Sequence, residues 1–192
     1  EYAFSCCTNL TAMVIPNGVT EIGDGVFSWC KNLTNITVDD ANTAYCSENN
    51  ILYTKDKKKV IAVAGALKGH IVIPDSVTEI GAYAFSGCSG LTNVTISDNV
   101  TVISESTFSG CTGLTSIIIP ESVTEINMLV FDRCRKLKTV VIKSTVIKDI
   151  HQTAFKNVHA NIHFTVKTDA VKALLKKNPM IRDEQITVEQ NL

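Results

Sequence analysis

The chain has 192 residues, 45% of them apolar and 19% charged, with a net charge of −1 and a mean hydropathy of +0.15. That balance excludes intrinsic disorder, which needs low hydrophobicity and high net charge. No apolar run approaches the ~18 residues of a membrane helix, and seven cysteines are too few for a small disulfide scaffold.

Thr, Ile and Val number 21, 20 and 20, and these β-branched types favour strands. Residues 1–15 carry Phe4, Cys7 and Leu10 at three-residue steps. The triple returns as Phe27/Cys30/Leu33, Phe85/Cys88/Leu91, Phe108/Cys111/Leu114 and Phe131/Cys134/Leu137, and Phe155 continues the series. Upstream of Phe27, Phe85, Phe108 and Phe131 runs a second motif, Val19/Ile22, Val77/Ile80, Val100/Ile103 and Val123/Ile126, with Pro16, Pro74 and Pro120 opening three units. A period of ~20–29 residues marks a solenoid, because one such unit cannot bury its own apolar face and must stack on its neighbours.

The period divides the chain into a half unit at 1–15, units at 16–38, 39–73, 74–96, 97–119, 120–142 and 143–166, and a cap at 167–192. Within a unit the L-x-x-V-x-I run predicts an alternating half-buried strand. The V-T-x-I run predicts a second short strand, and A-F-S-G-C a single helical or 3-10 turn. The long unit 39–73 lacks the Phe/Cys/Leu triple. Its Ile51–Thr54 and Val60–Ala64 runs around the KDKKK loop predict a hairpin bulging from the coil. In the last unit Ile147, Ile150 and Phe155 hold register. Val171, Leu174 and Leu175 then predict a closing helix, with Thr168 as N-cap and Pro179 beyond its end. One continuous core is expected through the stack. The half unit is expected to lack a preceding coil, leaving a strand edge open to self-association.

The string P-D-S-V-T-E-I-G-A-Y-A-F-S-G-C-S-G-L-T-N-V-T-I from Pro74 resembles the repeat of the BspA-like leucine-rich-repeat proteins. Asn42, Tyr45, Ser47, Asn50, Leu52, Tyr53 and Lys55 of the long unit are similar to that family's variant repeat. The resemblance covers about residues 1–166. It implies a β/α right-handed superhelix, mostly β with short helical turns and a C-terminal capping helix. It also implies a secreted or surface-attached protein of host-associated bacteria or protists, with adhesion to partners that include extracellular-matrix proteins. It implies no enzyme activity and no cofactor.

The residues themselves offer little chemistry. The column cysteines read as buried packing, since no C-x-x-C pair provides zinc-ligand spacing. Cys6 and Cys46, off the column, are the candidate reactive thiols. His159 and His163 have i, i+4 spacing but fall in a stretch expected to be extended. The sequons at Asn9, Asn32, Asn35, Asn93 and Asn99 follow from the repeat itself. No Ser-His-Asp order, P-loop or H-E-x-x-H string occurs.

Charge is unevenly spread. Residues 1–54 hold one Lys/Arg against six Asp/Glu, and residues 133–182 hold twelve against two. Arg133, Arg135, Lys136, Lys138 and Lys143 cluster on or beside one predicted strand. The outward row Val14, Thr37, Thr95, Ile118 and Val141 is the candidate binding surface, with the row Ala12, Asn35, Asn93, Ser116 and Thr139 beside it. Ile118 and Val141 next to those cations predict a partner site for a protein or an anionic glycan. A spacer role is the alternative. Nucleic acid is not expected, because no aromatic in the basic cluster could stack a base.

Overall fold

Alternation of side chains across a strand decides which residues of each β-branched run go inside. The computed structural model describes all 192 residues. β1 (Ala12–Ile15) and β2 (Asn35–Val38) are followed by β3 (Tyr45–Glu48), β4 (Ile51–Thr54) and β5 (Lys59–Val63). The chain then alternates longer and two-residue strands. These are β6 (Lys68–Val72), β7 (Glu79–Ile80), β8 (Gly90–Thr95), β9 (Val102–Ile103), β10 (Ser116–Ile119), β11 (Glu125–Ile126), β12 (Thr139–Ile142), β13 (Asp149–Ile150) and β14 (His163–Val166). Helix α1 (Asp169–Leu175) and a 3-10 turn at Asp183–Gln185 lead to β15 (Ile186–Val188), which pairs in parallel with β14.

The result is a β-solenoid. Its front face carries the parallel sheets β1-β2, β6-β8 and β10-β12-β14-β15; its back carries β13-β11-β9-β7-β5-β4-β3. Register keeps the pattern in phase: Ile117, Val140, Phe164 and Ile186 align and are buried, while Ile118, Val141, Thr165 and Thr187 align on the outside.

Three expectations need correction. First, the hairpin of the long unit does not bulge outward. β3, β4 and β5 form an antiparallel meander set across the interior. Ile51 and Tyr53 pack on one side of β4 and Leu52 on the other; Val60 and Val63 of β5 take the first side, and Ile61 and Ala62 the second. Strands apolar at every position need apolar neighbours on both faces, and only the inside of the stack provides them.

Second, the core is therefore not continuous. The meander divides it into clusters of 39 and 11 buried residues, with half-buried Leu67 touching both. Asn42 fastens the joint. Its Nδ2 donates to Pro16 O (2.8 Å) and Val19 O (3.0 Å), and its Oδ1 accepts from the N–H groups of Ala44 and Tyr45, both at 2.8 Å.

Third, the A-F-S-G-C stretch is not a regular helical or 3-10 turn, although i→i+3 bonds from Ser86 N to Tyr83 O (2.9 Å) and from Cys88 N to Phe85 O (3.1 Å) close it as successive tight turns. The residue two before Phe4, Phe27, Phe85, Phe108 and Phe131 (Tyr2, Gly25, Tyr83, Ser106, Leu129) and the one two after these and Phe155 (Cys6, Trp29, Gly87, Gly110, Arg133, Asn157) have left-handed φ, which a right-handed helix excludes. The N–H groups so turned outward bond to the next coil instead, as Phe85 N to Thr107 O (2.9 Å) and Phe108 N to Val130 O (3.0 Å).

The repeat columns run through these turns. Phe85, Phe108, Phe131 and Phe155 follow one another with ring centroids 5.0, 5.5 and 5.1 Å apart, and Phe164 closes the stack edge-on at 4.9 Å. The cysteine column is a ladder of donors as well as packing. The Sγ of Cys30, Cys111 and Cys134 lie 2.9, 3.2 and 3.1 Å from the carbonyl of the Phe one coil back. Cys88 meets Val63 O at 4.0 Å instead, because the meander stands where that carbonyl would be. Burial pushes the Cys88 thiol up to about 12 and raises Cys111 and Cys134 well above the ordinary thiol range too. At the C-terminal end Thr168 Oγ1 accepts from Val171 N (3.3 Å), and Val171 and Leu175 are buried. The helix does not end the stack, since β15 adds one more strand beyond it.

Candidate functional site

The outward positions of the front strands form two rows. The first pairs Val14 with Thr37, Val72 with Thr95, and Ile118 with Val141 and Thr165. Val14, Val72 and Ile118 are 64%, 61% and 52% exposed, so this row puts three large apolar side chains mostly in water. The second row pairs Ala12 with Asn35, His70 with Asn93, and Ser116 with Thr139 and His163. Both histidines brace across to the next strand. His70 Nε2 lies 2.8 Å from Thr95 Oγ1, and His163 Nε2 lies 2.9 Å from Thr187 Oγ1. His163 is thus turned toward β15, while His159 Nδ1 accepts from Asn161 N (3.0 Å).

The basic residues fall into two groups. Lys138 and Lys143 stand at the two ends of β12, their N–H groups bonded to Thr115 O (2.9 Å) and Ile119 O (3.0 Å). They bracket half-buried Val141, and Ile118 lies directly across from it. Arg135 and Lys136 are exposed on the turn that enters this strand. Arg133 stands apart. Its guanidinium lies 5.9 Å from the Trp29 ring and Nε is 3.5 Å from Asp132. Trp29 itself bonds to Ser86 O through its backbone N–H (3.0 Å), and its ring lies over Gly110, where a Cβ would come within 2.3 Å of it. Lys31 Nζ is 5.2 Å from the same ring. This stack was not legible beforehand, because Trp29 occupies a turn position that glycine fills in the units it lies against.

Five of the twelve cations at the C-terminal end of the chain, all beyond β14, are paired internally. Lys167 pairs with Glu121, Lys172 and Lys176 with Asp183 (both 3.0 Å), Lys177 with Asp149 (3.1 Å) and Arg182 with Glu184 (3.0 Å). The Lys167 ammonium holds the Glu121 carboxyl below its usual range, and Lys143 adds a weaker pull. Arg135, Lys136, Lys138 and Lys143 have no carboxylate partner.

Sequence reasoning missed Val72 and His70, since the long unit lacks the marker triple. A signal existed: Ile71-Val72-Ile73 precedes Pro74 as Ile117-Ile118-Ile119 precedes Pro120. It also missed two clefts, one of 570 Å³ between the Phe155 turn and Pro179–Ile181, and one of 420 Å³ beside β6. No group of three or more His, Cys, Asp or Glu is placed to hold a metal ion, and no helix is long and apolar enough to cross a membrane.

Parallel strands at a 23-residue period, sealed by stacked Phe and Cys columns, define a leucine-rich-repeat solenoid. The chain belongs to the BspA-type leucine-rich-repeat family, whose model (BspA type Leucine rich repeat region) matches residues 1–60 and 66–175 in six copies. Among solved structures it is similar to a leucine-rich repeat protein of Eubacterium ventriosum, at 31% identity and a TM-score of 0.72 over 81% of this chain and 41% of that one. It is similar also to a leucine rich cell surface protein of Faecalibacterium prausnitzii, at 28% identity and a TM-score of 0.72 over 91% of this chain and 52% of that one. The pneumococcal vaccine antigen PcpA shares the fold at 19% identity, with a TM-score of 0.65 over 94% of this chain and 56% of that one. The chain thus spans between 41% and 56% of the length of these proteins. No curated protein matches its sequence significantly.

Proposed function

We propose that this chain is a non-catalytic binding module of a secreted or cell-surface protein, and that its front face recognises a protein or an anionic glycan. One observation carries the reading: Ile118 and Val141 lie side by side on the outward face, bracketed by Lys138 and Lys143, with Arg135 and Lys136 on the adjoining turn. Exposed apolar surface of this kind marks contacts, and cations without internal partners draw an acidic partner toward it. A sulfated glycan or an acidic extracellular-matrix protein has the matching chemistry. The surface location is supported by the relative of F. prausnitzii, itself named a cell surface protein.

A second reading, a rigid spacer within a longer protein, draws on the internal pairing of Lys167, Lys172, Lys176 and Lys177, which takes up a third of the twelve cations of the basic segment. An array of sulfated glycans and matrix proteins, probed at low and high salt, separates the two. A binding module retains a ligand at low salt, loses it as screening shortens the reach of the lysines, and weakens severalfold when Arg135, Lys136 and Lys138 become Gln. Binding unchanged by salt and by those substitutions removes the face from consideration; no salt-sensitive ligand at all favours the spacer.

A further inference from the structure

The front face is interrupted twice, between β8 and β10, where Thr115 N still reaches Thr92 O at 3.1 Å, and between β2 and β6, where a groove lies. β2 pairs only with β1, and β6 only with β8, and no backbone hydrogen bond joins β2 to β6. The meander is the cause. The tip of its β3–β4 hairpin, where Asn49 and Asn50 take left-handed φ of 51° and 62°, comes up beside β6. A groove of 420 Å³ results, with Glu48 of the tip on one side, Lys68 and Val72 of β6 on the other, and Ile51, Tyr53 and Leu67 among its lining.

The open wall of this groove is a strand edge. In a parallel ladder alternate residues turn both N–H and C=O toward the same neighbour. Ile73 N–H reaches Thr95 O at 3.0 Å on the β8 side, and the register is regular from His70 onward. His70 and Val72 therefore turn their backbone groups into the opening, where no turn or loop of the chain takes them. Unpaired strand edges accept strands: main-chain bonds supply affinity and flanking pockets supply selection. Charge narrows the partner. Glu48 is already paired with Lys57 at 2.7 Å, so Lys68 is the full charge in the groove without a carboxylate partner.

We propose that this opening takes an extended peptide of a partner protein, added to β6 as a strand over the hairpin tip, with an acidic side chain set against Lys68. The proposal rests on the reading of the chain as a binding module, but it uses a surface two strands away from Ile118 and Val141.

The test uses the full chain and the peptide acetyl-Thr-Val-Asp-Val-Thr-Val-amide, followed by amide exchange and chemical shifts. In the free chain the His70 and Val72 amides exchange quickly; saturating peptide slows them at least about tenfold, the expectation for new main-chain hydrogen bonds. N-methylation of alternate peptide amides abolishes the effect. Lys68→Gln weakens the acidic peptide severalfold and leaves its Asn analogue unchanged. Val72→Pro removes the open-edge donor while β6–β8 pairing persists, since edge positions tolerate proline, and it abolishes binding. The proposal is overturned if the two amides are already protected in the free chain, if N-methylated peptide binds equally, or if no peptide binds at millimolar concentration. Shifts confined to β10 and β12 overturn it too, while supporting the front-face reading; loss of salt-sensitive glycan binding, conversely, leaves the groove result standing.

Discussion

The two sides of the meander are built from the same repeat but sealed to different degrees. In the larger cluster Phe85, Phe108, Phe131, Cys88, Cys111, Cys134, Leu91, Leu114 and Leu137 are all 0% exposed. In the smaller one Phe27 and Cys30 are buried, Ile15, Val26, Tyr45 and Ile61 keep 6, 7, 7 and 8% exposure, and only 11 buried residues make up the cluster; Phe4 of the first coil, outside it, is 41% exposed. The lesson is that a coil's stability is set less by its own sequence than by how many coils cover it, as expected where stability is a sum of unit and nearest-neighbour terms. Each experiment below either widens this contrast or abolishes it.

The largest effect inverts the contrast. Cys88, Cys111 and Cys134 of the larger cluster have thiol pKa values raised by burial, so the folded chain keeps protons that the unfolded chain has already lost. Their contribution is whole below the ordinary thiol pKa and is lost as pH rises from there, up to about 12 for Cys88. Once the unfolded thiols ionise, each costs about 1.4 kcal/mol per pH unit. Two units of alkali thus remove up to roughly 8 kcal/mol across the three while all stay protonated in the fold, comparable with the whole stability of a domain. The smaller cluster holds one raised thiol, Cys30. The better-sealed side therefore becomes the weaker one in alkali, and melting temperature against pH shows it, with a shallower slope in Cys111→Ala. A flat profile from about pH 8 to 11 would mean the column is wetter than its burial indicates.

Packing supplies the next effect. Phe108 lies between Phe85 and Phe131, so Phe108→Ala empties the middle of a stack and costs about 3–5 kcal/mol. Phe4 contacts Phe27 on one side only, at 5.9 Å, and Phe4→Ala costs under about 1 kcal/mol because much of its surface is already hydrated. Urea midpoints compare the two; equal losses would contradict the unequal sealing.

The columns, both strand motifs, the capping helix and its Thr168 cap were legible because each repeats or has a local chemical signature. What was not legible depends on relations between coils. The Ile51–Thr54 run shows that β4 is apolar on both faces, but not that a second core exists to receive its other face. Arg133 looks like any basic residue until Trp29 is found above the bare backbone of Gly110. The Cys S–H bonds escaped because a carbonyl acceptor has no side chain to announce it. On the front face, Ile118, Val141, Lys138 and Lys143 could be read from strand parity and spacing alone. The open edge of β6 could not, since it arises from where the meander comes up.

The smallest of the three effects acts at the joint. Asn42 is 1% exposed, and its amide satisfies two carbonyls of the second coil and two N–H groups that start β3. Asn42→Ala leaves these four groups to whatever water can reach them. Pro16 O retains the Val19 N–H at 3.2 Å, so its loss is partial, and the sum comes to about 2–3 kcal/mol. Both carbonyls belong to the loop after β1, on the small-cluster side, so that side should open first. Amide exchange at Ile36 of β2 is expected to rise about a hundredfold, the equivalent of that energy, while Val94 and Ile117 across the meander stay as they were. If both sides accelerate alike, the meander transmits stability between the clusters instead of dividing it, and the two regions unfold as one.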